Sequence, residues 1–297
     1  MTFNEGTDID PSRVSSGGMG PKLALGGGGG LIVLVLALLF GVNPGNLLGG
    51  ETSGTQGAVD TSMCKINTDA NRYPQCRVVL TSQSLDGVWG SVLQRQTRTR
   101  YTEPPVTLFT GSVNTGCGSA TSAVGPFYCP ADRTAYFDTG FFQELRDKFG
   151  ASGGPLAEEY VVAHEFGHHI QNLLGDSGRA QRDPKGPESG SVRLELQADC
   201  YAGLWASYAD KTPAPGGSAP LLAPLSDADI SDALSAAEAV GDDRIQQAST
   251  GRVNPEGWTH GSSSQRTQWF LTGYRTGQVR ACDTFSATDL DRPAALR

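Results

Sequence analysis

Three of the four histidines in this 297-residue chain lie in one short stretch, residues 161–175, which reads VVAHEFGHHIQNLLG. His164, Glu165 and His168 form an H-E-x-x-H pattern. Positions i and i+4 of a helix share a face, so the two histidines can bind one metal ion. Zinc accepts imidazole nitrogens and keeps an open position in catalytic sites. Glu165 is then placed to take a proton from a zinc-bound water. The alternative is a pair of helix histidines without a metal.

A catalytic zinc needs a third protein ligand, and a second helix can supply it. Gln171 and Leu174 do not match the longer form of the motif, in which a glycine and a third histidine follow. The stretch ELQAD instead places Glu195 and Asp199 four residues apart on one face. Glu195 is predicted to ligate the metal. Asp199 is predicted to accept the spare ring N–H of a ligand histidine, which fixes its tautomer and orientation. The alternative for Glu195 is a solvated helix carboxylate.

The two remaining histidines are assigned different roles. His169 directly follows a predicted ligand and points about 100° away around the helix, so it is predicted not to ligate. His260 lies in the loop stretch WTHGSS, far from the motif in sequence. It is either a structural loop histidine or a donor that stabilises an oxyanion during catalysis. Asp242 or Asp243 could orient it.

An uncharged segment near the N-terminus predicts a membrane anchor. Residues 23–42, LALGGGGGLIVLVLALLFGV, have the length of one bilayer crossing. A cleaved signal peptide is the alternative, but the preceding segment is long, contains acids and leads to no A-x-A-like site. Arg13 and Lys22 precede the span, and no Lys or Arg occurs between residues 43 and 64. We therefore expect a single-pass protein of the cell membrane, with a cytoplasmic N-terminus and the rest of the chain outside.

Six cysteines follow residue 60, and outside the cytoplasm they are expected to form disulfides. Cys64 and Cys76 enclose eleven residues, and so do Cys117 and Cys129. Both intervening segments contain turn-forming residues, so each pair can close within one loop. Cys200 lies about 140° from Glu195 around its helix, which favours a disulfide over ligation; the alternative is a buried thiol. The predicted pairs are Cys64–Cys76, Cys117–Cys129 and Cys200–Cys282.

Composition and periodicity set the domain organisation. The net charge of −8 argues against nucleic acid or anionic lipid as the main partner. Mostly helices with a small sheet are expected, that is, an α+β domain. The strand around RTAYFD, residues 133–138, is expected to present an edge to which an extended substrate adds. The predicted segments are a cytoplasmic tail at 1–22, a transmembrane anchor at 23–42, a flexible linker at 43–62 and a metallopeptidase domain at 63–297.

Within that domain, apolar spacing and helix punctuation predict the individual elements. Predicted helices cover 84–96, 139–150, 191–210 and 226–240, with a further helix that has Pro155 in its first turn and ends at Gly175. Ser262 and Gln265 form a capping-box pattern ahead of a last helix. Strands are predicted at 104–113 and, as a pair, within 125–138.

The chain resembles the predicted neutral zinc metallopeptidases anchored in bacterial membranes, over nearly its whole length. The resemblance is carried by HEFGHHIQNLLG, RLELQADCYAGLWA, CGSATSAVGPFYCPAD, GDDRIQ and THGSSSQRTQWF. It implies an N-terminal membrane helix followed by a zincin-like peptidase domain. It also implies zinc ligands at His164, His168 and Glu195, with Glu165 as the catalytic glutamate.

The predicted function is a membrane-anchored, zinc-dependent metallopeptidase that hydrolyses peptide or protein substrates. A zinc-bound water attacks the peptide bond with Glu165 as general base, and His260 is a candidate catalytic donor. One alternative is a non-catalytic, membrane-tethered binding or assembly protein on a zincin fold, although a pure scaffold has no need of Glu165. The other is a zinc amidase that acts on a non-peptide substrate.

Overall fold

Helices outnumber strands in the computed structural model of the chain, which describes residues 3–4, 9–17 and 58–297. The α+β class agrees with the prediction. The helices are α1 (Pro74–Thr97), α2 (Phe141–Asp147), α3 (Pro155–Leu174), α4 (Gly190–Ala209), α5 (Asp227–Ala239), α6 (Asp242–Thr250) and α7 (Ser263–Thr276). The strands are β1 (Ser15–Ser16), β2 (Val106–Phe109), β3 (Ser112–Thr115), β4 (Gly118–Thr121), β5 (Phe127–Cys129) and β6 (Thr134–Asp138).

The helix boundaries follow from local sequence signals. Helix α3 starts with Pro155 at its first position and ends at Gly175, whose φ of 86° is readily adopted by glycine. Capping boxes begin α5 at Ser226 and α7 at Ser262, the latter as predicted. In α1, the apolar residues whose spacing predicted a helix are all buried: Leu85, Val88, Trp89, Val92 and Leu93. Helix α6 was not predicted, and the predicted strand at 104–113 is split between β2 and β3.

Glycines let the helices around the motif approach to backbone contact. A Cβ atom at Gly167, inside the HEFGH motif, would lie 2.9 Å from the Cα atom and the carbonyl oxygen of Ala198 in α4. A Cβ at Gly273 in α7 would lie 1.8 Å from the carbonyl oxygen of Cys200 in α4. Helix α4 is therefore held closely between α3 and α7. This packing brings the ELQAD segment against the H-E-x-x-H segment.

The sheet corrects one prediction. Its strand order is β1-β2-β6-β5, with β1, β2 and β6 parallel and β5 antiparallel to β6. Strand β6, which contains most of RTAYFD, is hydrogen-bonded on both sides and offers no free edge. The prediction that this strand receives the substrate is wrong, because β6 is central. Among the described strands, β5 forms that edge of the sheet.

Residues 9–17, which fall in the predicted cytoplasmic tail, lie against the domain. Ile9 and Val14 are buried, and β1 pairs in parallel with β2. The Arg13 guanidinium forms an ion pair with Asp86 at 2.5 Å. These contacts require residues 9–17 and the domain to be on the same side of any membrane. The predicted anchor at 23–42 lies outside the described residues, and within them no helix is long and apolar enough to cross a bilayer.

All six cysteines are paired, in the predicted arrangement. The Cα–Cα distances are 5.3 Å for Cys64–Cys76, 5.8 Å for Cys117–Cys129 and 5.5 Å for Cys200–Cys282. The third bridge ties the C-terminal segment to α4, the helix that carries Glu195.

Candidate metal centre

Two adjacent helices bring three potential ligands to one point. Helix α3 presents His164 and His168, and α4 presents Glu195 opposite them. The Nε2 atom of His164 lies 3.1 Å from Glu195 Oε2, and the Nε2 atom of His168 lies 3.5 Å from Glu195 Oε1. All three side chains are buried, and their ligand atoms lie within 4.8 Å of one another. The three predicted ligands therefore converge.

The other ring nitrogen of each histidine is held by an acceptor. His164 Nδ1 lies 2.8 Å from Asp199 Oδ1, and His168 Nδ1 lies 2.8 Å from Gln171 Oε1. Gln171 is itself fixed, since its amide nitrogen donates to the Leu194 carbonyl at 2.6 Å. An acceptor at Nδ1 places the proton there and leaves the Nε2 lone pair free to bind a metal. Asp199 contacts the second ring nitrogen of a predicted ligand, as the sequence suggested, and the contact of Gln171 was not predicted.

This donor set fits zinc. Zinc–nitrogen and zinc–oxygen bonds of about 2.0–2.2 Å in a tetrahedron place neighbouring ligand atoms about 3.3–3.5 Å apart. The observed separations, 3.1 Å from His164 Nε2 to Glu195 Oε2 and 3.5 Å from His168 Nε2 to Glu195 Oε1, lie close to that spacing. Two imidazoles and one carboxylate are also the donors found in catalytic zinc sites that retain an open position.

Asp199 lies at the centre of a buried hydrogen-bond network. Arg266 donates from Nε to Asp199 Oδ2 at 2.9 Å and from Nη2 to Oδ1 at 3.0 Å. The Tyr160 hydroxyl donates to the same Oδ1 at 2.5 Å. Arg266 also donates to the Val240 carbonyl at 3.1 Å. The carboxylate that orients His164 is thus fixed by two further side chains.

The charges of this cluster shift the pKa values of its members. Burial would lower the pKa of His164, but Asp199 and Glu195 outweigh it and raise that pKa to about 10. Burial would raise the pKa of Glu195, but His168, His260 and His164 hold it well below its usual range. Zinc binding at Nε2 of His164 therefore competes with protonation of that nitrogen.

Glu165 faces the cleft in front of the three ligands. Among the described residues, none donates a hydrogen bond to its carboxylate, which leaves both oxygens available. Burial raises the pKa of Glu165, and the neighbouring His168 and His164 partly oppose that rise. A buried carboxyl group with a raised pKa suits a group that must both take and return a proton.

His260 lines the same cleft on a loop held by Asp242. One oxygen of Asp242 accepts from the backbone N–H groups of Thr259, His260 and Gly261, at 2.7, 2.7 and 3.0 Å. The other oxygen lies 3.4 Å from His260 Nδ1. Asp243 instead binds Ser263 at the start of α7. Of the two acids suggested by the sequence, Asp242 is the one that holds the His260 loop, while the ring Nδ1 is hydrogen-bonded to the Thr259 hydroxyl at 2.9 Å.

His169 points away from the centre, as predicted. Its Nε2 donates to the Thr102 carbonyl at 2.7 Å, so its Nδ1 accepts from the Tyr128 hydroxyl at 3.0 Å. Burial lowers the pKa of His169 to about 4, and the hydrogen bond to Thr102 only partly offsets this. A neutral ring engaged at both nitrogens has no lone pair left for a metal.

Comparison with known proteins assigns the chain to a family. The family model described as "Putative neutral zinc metallopeptidase" matches residues 2–285. The chain belongs to this family. It is 58% identical to the uncharacterized protein Rv2575 of Mycobacterium tuberculosis, over 98% of this chain and all of that one. It is 38% identical to the uncharacterized protein YpfJ of Escherichia coli, over 95% of this chain and 96% of that one. No solved structure matches the chain.

Arg266 is the main residue of this site that sequence reasoning missed. It lies in SSQRTQWF, where neighbouring polar residues are typical of an exposed helix face. In the structure it is only 3% exposed. Buried charges require partners of opposite sign. The two acids of the predicted site, Glu195 and Asp199, were therefore the available signal that a basic residue lies nearby.

Proposed function

We propose that this member of the neutral zinc metallopeptidase family is an active zinc-dependent peptidase of the zincin type. The observation that carries the proposal is that the Nε2 atoms of His164 and His168 converge with the carboxylate of Glu195. Glu165 lies beside them in the cleft, and no described residue donates a hydrogen bond to it. A purely structural zinc site would be closed by a fourth protein ligand. Here, within the described residues, the metal-ligating cluster has three members and faces an open cleft.

The roles of the chain's own residues follow from their positions. Zinc, when bound, supplies Lewis acidity that activates water and polarises a carbonyl. Glu165 accepts the proton of the attacking water and passes it to the departing amine. Asp199 and Gln171 hold the two histidine rings in the ligating tautomer.

His260 is proposed to stabilise the oxyanion that forms when water attacks the peptide carbonyl. It is 6% exposed, lines the cleft and is held on a loop shaped by three backbone hydrogen bonds to Asp242. The Glu195 and Asp242 carboxylates raise the pKa of His260 against the effect of burial. A protonated imidazole is a strong donor to a developing negative charge.

The proposal is tested by loading the purified protein with zinc and measuring cleavage of a library of quenched fluorescent peptides. Glu165→Gln is expected to retain zinc and to lose activity by about 100-fold or more, because it removes the general base. Glu256→Gln, an exposed residue remote from the ligating helices in sequence, is the control and is expected to remain active. Zinc binding by wild type without cleavage of any peptide would overturn the proposal and favour a binding protein.

Attachment to a membrane through residues 23–42 and a position outside the cytoplasm remain proposals that rest on the sequence. Three disulfides support a location outside the reducing cytosol. The contacts of residues 9–17 add a constraint to the predicted topology. A single crossing at 23–42 would place residues 9–17 and the domain on opposite sides of the membrane, which is incompatible with these contacts.

A further inference from the structure

The cleft in front of the metal centre has an apolar wall that the proposed chemistry does not require. The cleft opens onto the ligands and Glu165. Elements from four parts of the chain contribute to the wall. The apolar side chains that line it are Val124, Phe127, Phe141, Val161, Val240 and Ile245.

Val161 places this wall one helical turn from the reacting groups. It precedes His164 by three residues, Glu165 by four and His168 by seven, so all four side chains share one stripe of α3. Three residues of helix advance about 4.5 Å along the axis. A substrate residue directly beside the scissile bond can therefore reach the wall with its side chain.

Ile245 also contributes to the wall and has little else to pack against. It is the only large apolar residue of α6, whose other residues are polar or small. It is half-buried and belongs to neither of the hydrophobic cores formed by the described residues. An apolar side chain that is left partly exposed in a cleft gains burial when a ligand covers it.

The charged groups that line the cleft, His260 included, already have roles in the proposed chemistry, and among the described residues none is left to pair with a charged substrate side chain. Arg266 is the only lysine or arginine among the described residues that line it, and both of its donor groups facing Asp199 are engaged. Glu165 and Glu195 are committed to proton transfer and to the metal. A charged substrate side chain would lose its water there without gaining a partner, which is unfavourable.

We propose that this wall is the specificity pocket of the enzyme and selects peptides with a large aliphatic or aromatic residue beside the scissile bond. The inference rests on the proposed peptidase function. Helix α6 then serves to deliver Ile245 to the pocket. Ile245 and Val161 set the size and polarity of the accepted side chain.

The test uses zinc-loaded full-length protein and a peptide series that differs at single positions flanking the cleaved bond. Wild type is expected to show at least about 10-fold higher kcat/KM for Leu or Phe than for Asp or Lys at one of these positions. Ile245→Arg is expected to lower kcat/KM for the Leu peptide by about 10-fold or more and to improve the Glu peptide relative to it. Gln247→Arg adds the same charge to an exposed position of α6 and is expected to leave the preference unchanged.

A binding measurement separates this proposal from the peptidase function. The zinc-loaded Glu165→Gln variant is titrated with the same peptides, with and without Ile245→Arg. Tighter binding of Leu and Phe peptides that Ile245→Arg abolishes supports the pocket even if wild type cleaves nothing. Cleavage without an apolar preference, or a preference that Ile245→Arg and Ile245→Ala leave intact, overturns the pocket while the peptidase function stands. Neither cleavage nor peptide binding overturns both.

Discussion

Arg266 clamps Asp199 with two hydrogen bonds, one to each carboxylate oxygen, at 2.9 and 3.0 Å. Asp199 in turn accepts from His164 at 2.8 Å. The arginine therefore acts on the metal ligand mainly through the carboxylate, and its Nη2 also lies 3.5 Å from His164 Nδ1. Such outer hydrogen bonds orient a ligand and increase its basicity.

Arg266→Met is expected to weaken zinc binding by about 10- to 100-fold, because it releases Asp199 and with it the orientation of His164. Competition with a chelating dye measures the affinity. Arg275→Met, at an exposed position of the same helix, is the matched control and is expected to have no effect. Arg266→Lys keeps the positive charge but loses the bidentate hydrogen bond to Asp199, so its zinc affinity should lie between those of wild type and Arg266→Met. Wild-type zinc affinity in a folded Arg266→Met protein would show that the clamp is irrelevant to the metal.

Gly167 is expected to be needed for close packing of the two ligand-bearing helices. In Gly167→Ala, the new Cβ would lie 2.9 Å from backbone atoms of Ala198, next to Asp199. Overpacking of this kind costs about 1–3 kcal/mol of folding free energy and should also weaken zinc binding. Gly90→Ala in α1 is the control, since its Cβ meets only a ring atom at 4.0 Å. It is expected to stabilise the protein by up to about 1 kcal/mol. Denaturant unfolding distinguishes the two, and equal effects would refute the packing argument.

His169 is expected to make the zinc-free protein sensitive to mild acid. Its pKa is lowered to about 4 in the folded protein and is about 6.5 when unfolded. Between these values the unfolded chain binds a proton that the folded chain does not. Stability is therefore fully present above pH 6.5 and is lost as the pH falls towards 4, by about 3 kcal/mol at most.

The effect is measured as the free energy of unfolding at pH 6.5, 5.5 and 4.5 in the presence of a chelator. His169→Gln removes the titration and is expected to flatten the slope relative to wild type, although the variant is less stable at pH 7 because it loses hydrogen bonds. Parallel slopes for the two proteins would mean that other groups cause the acid sensitivity.

Local signals predicted much of the fold and of the site. Helix geometry alone predicted that the histidines of the H-E-x-x-H motif share a face, and that Glu195 and Asp199 do so as well. Pro155 and Gly175 likewise marked the two ends of one helix. The first two disulfides could also be predicted locally, because each closes a short loop between its own two cysteines. Each of these features is encoded within a few neighbouring residues.

Features that depend on distant contacts were missed. Arg266 was not predicted because only the packing of α7 against α4 buries it. The position of β6 in the middle of the sheet depends on β2 and β5, which no local pattern specifies. Helix α6 has a single large apolar residue, Ile245, so it lacks the periodicity of a core helix; Asp242 and Asp243 in its first turn were the available signal.

The contacts of β1 make a prediction about topology. Ser15 pairs with Thr107 across the sheet, and their hydroxyl oxygens lie 3.0 Å apart. When Ser15→Cys and Thr107→Cys are combined, a mild oxidant is expected to cross-link the two new cysteines in intact membranes, because they are neighbours in the sheet. The native cysteines do not compete, since all of them are paired. The single variants are the controls. Absence of the cross-link would mean that residues 9–17 leave the domain in the membrane, as a single crossing at 23–42 requires.

The central claim is that His164, His168 and Glu195 together hold one zinc ion. Elemental analysis of the purified protein after gel filtration tests it most directly. Wild type is expected to carry one zinc per chain, and His168→Ala or Glu195→Ala to carry almost none. His169→Gln, one residue away, is expected to keep the full equivalent because its ring is engaged elsewhere. A full equivalent of zinc in both His168→Ala and Glu195→Ala would contradict the account.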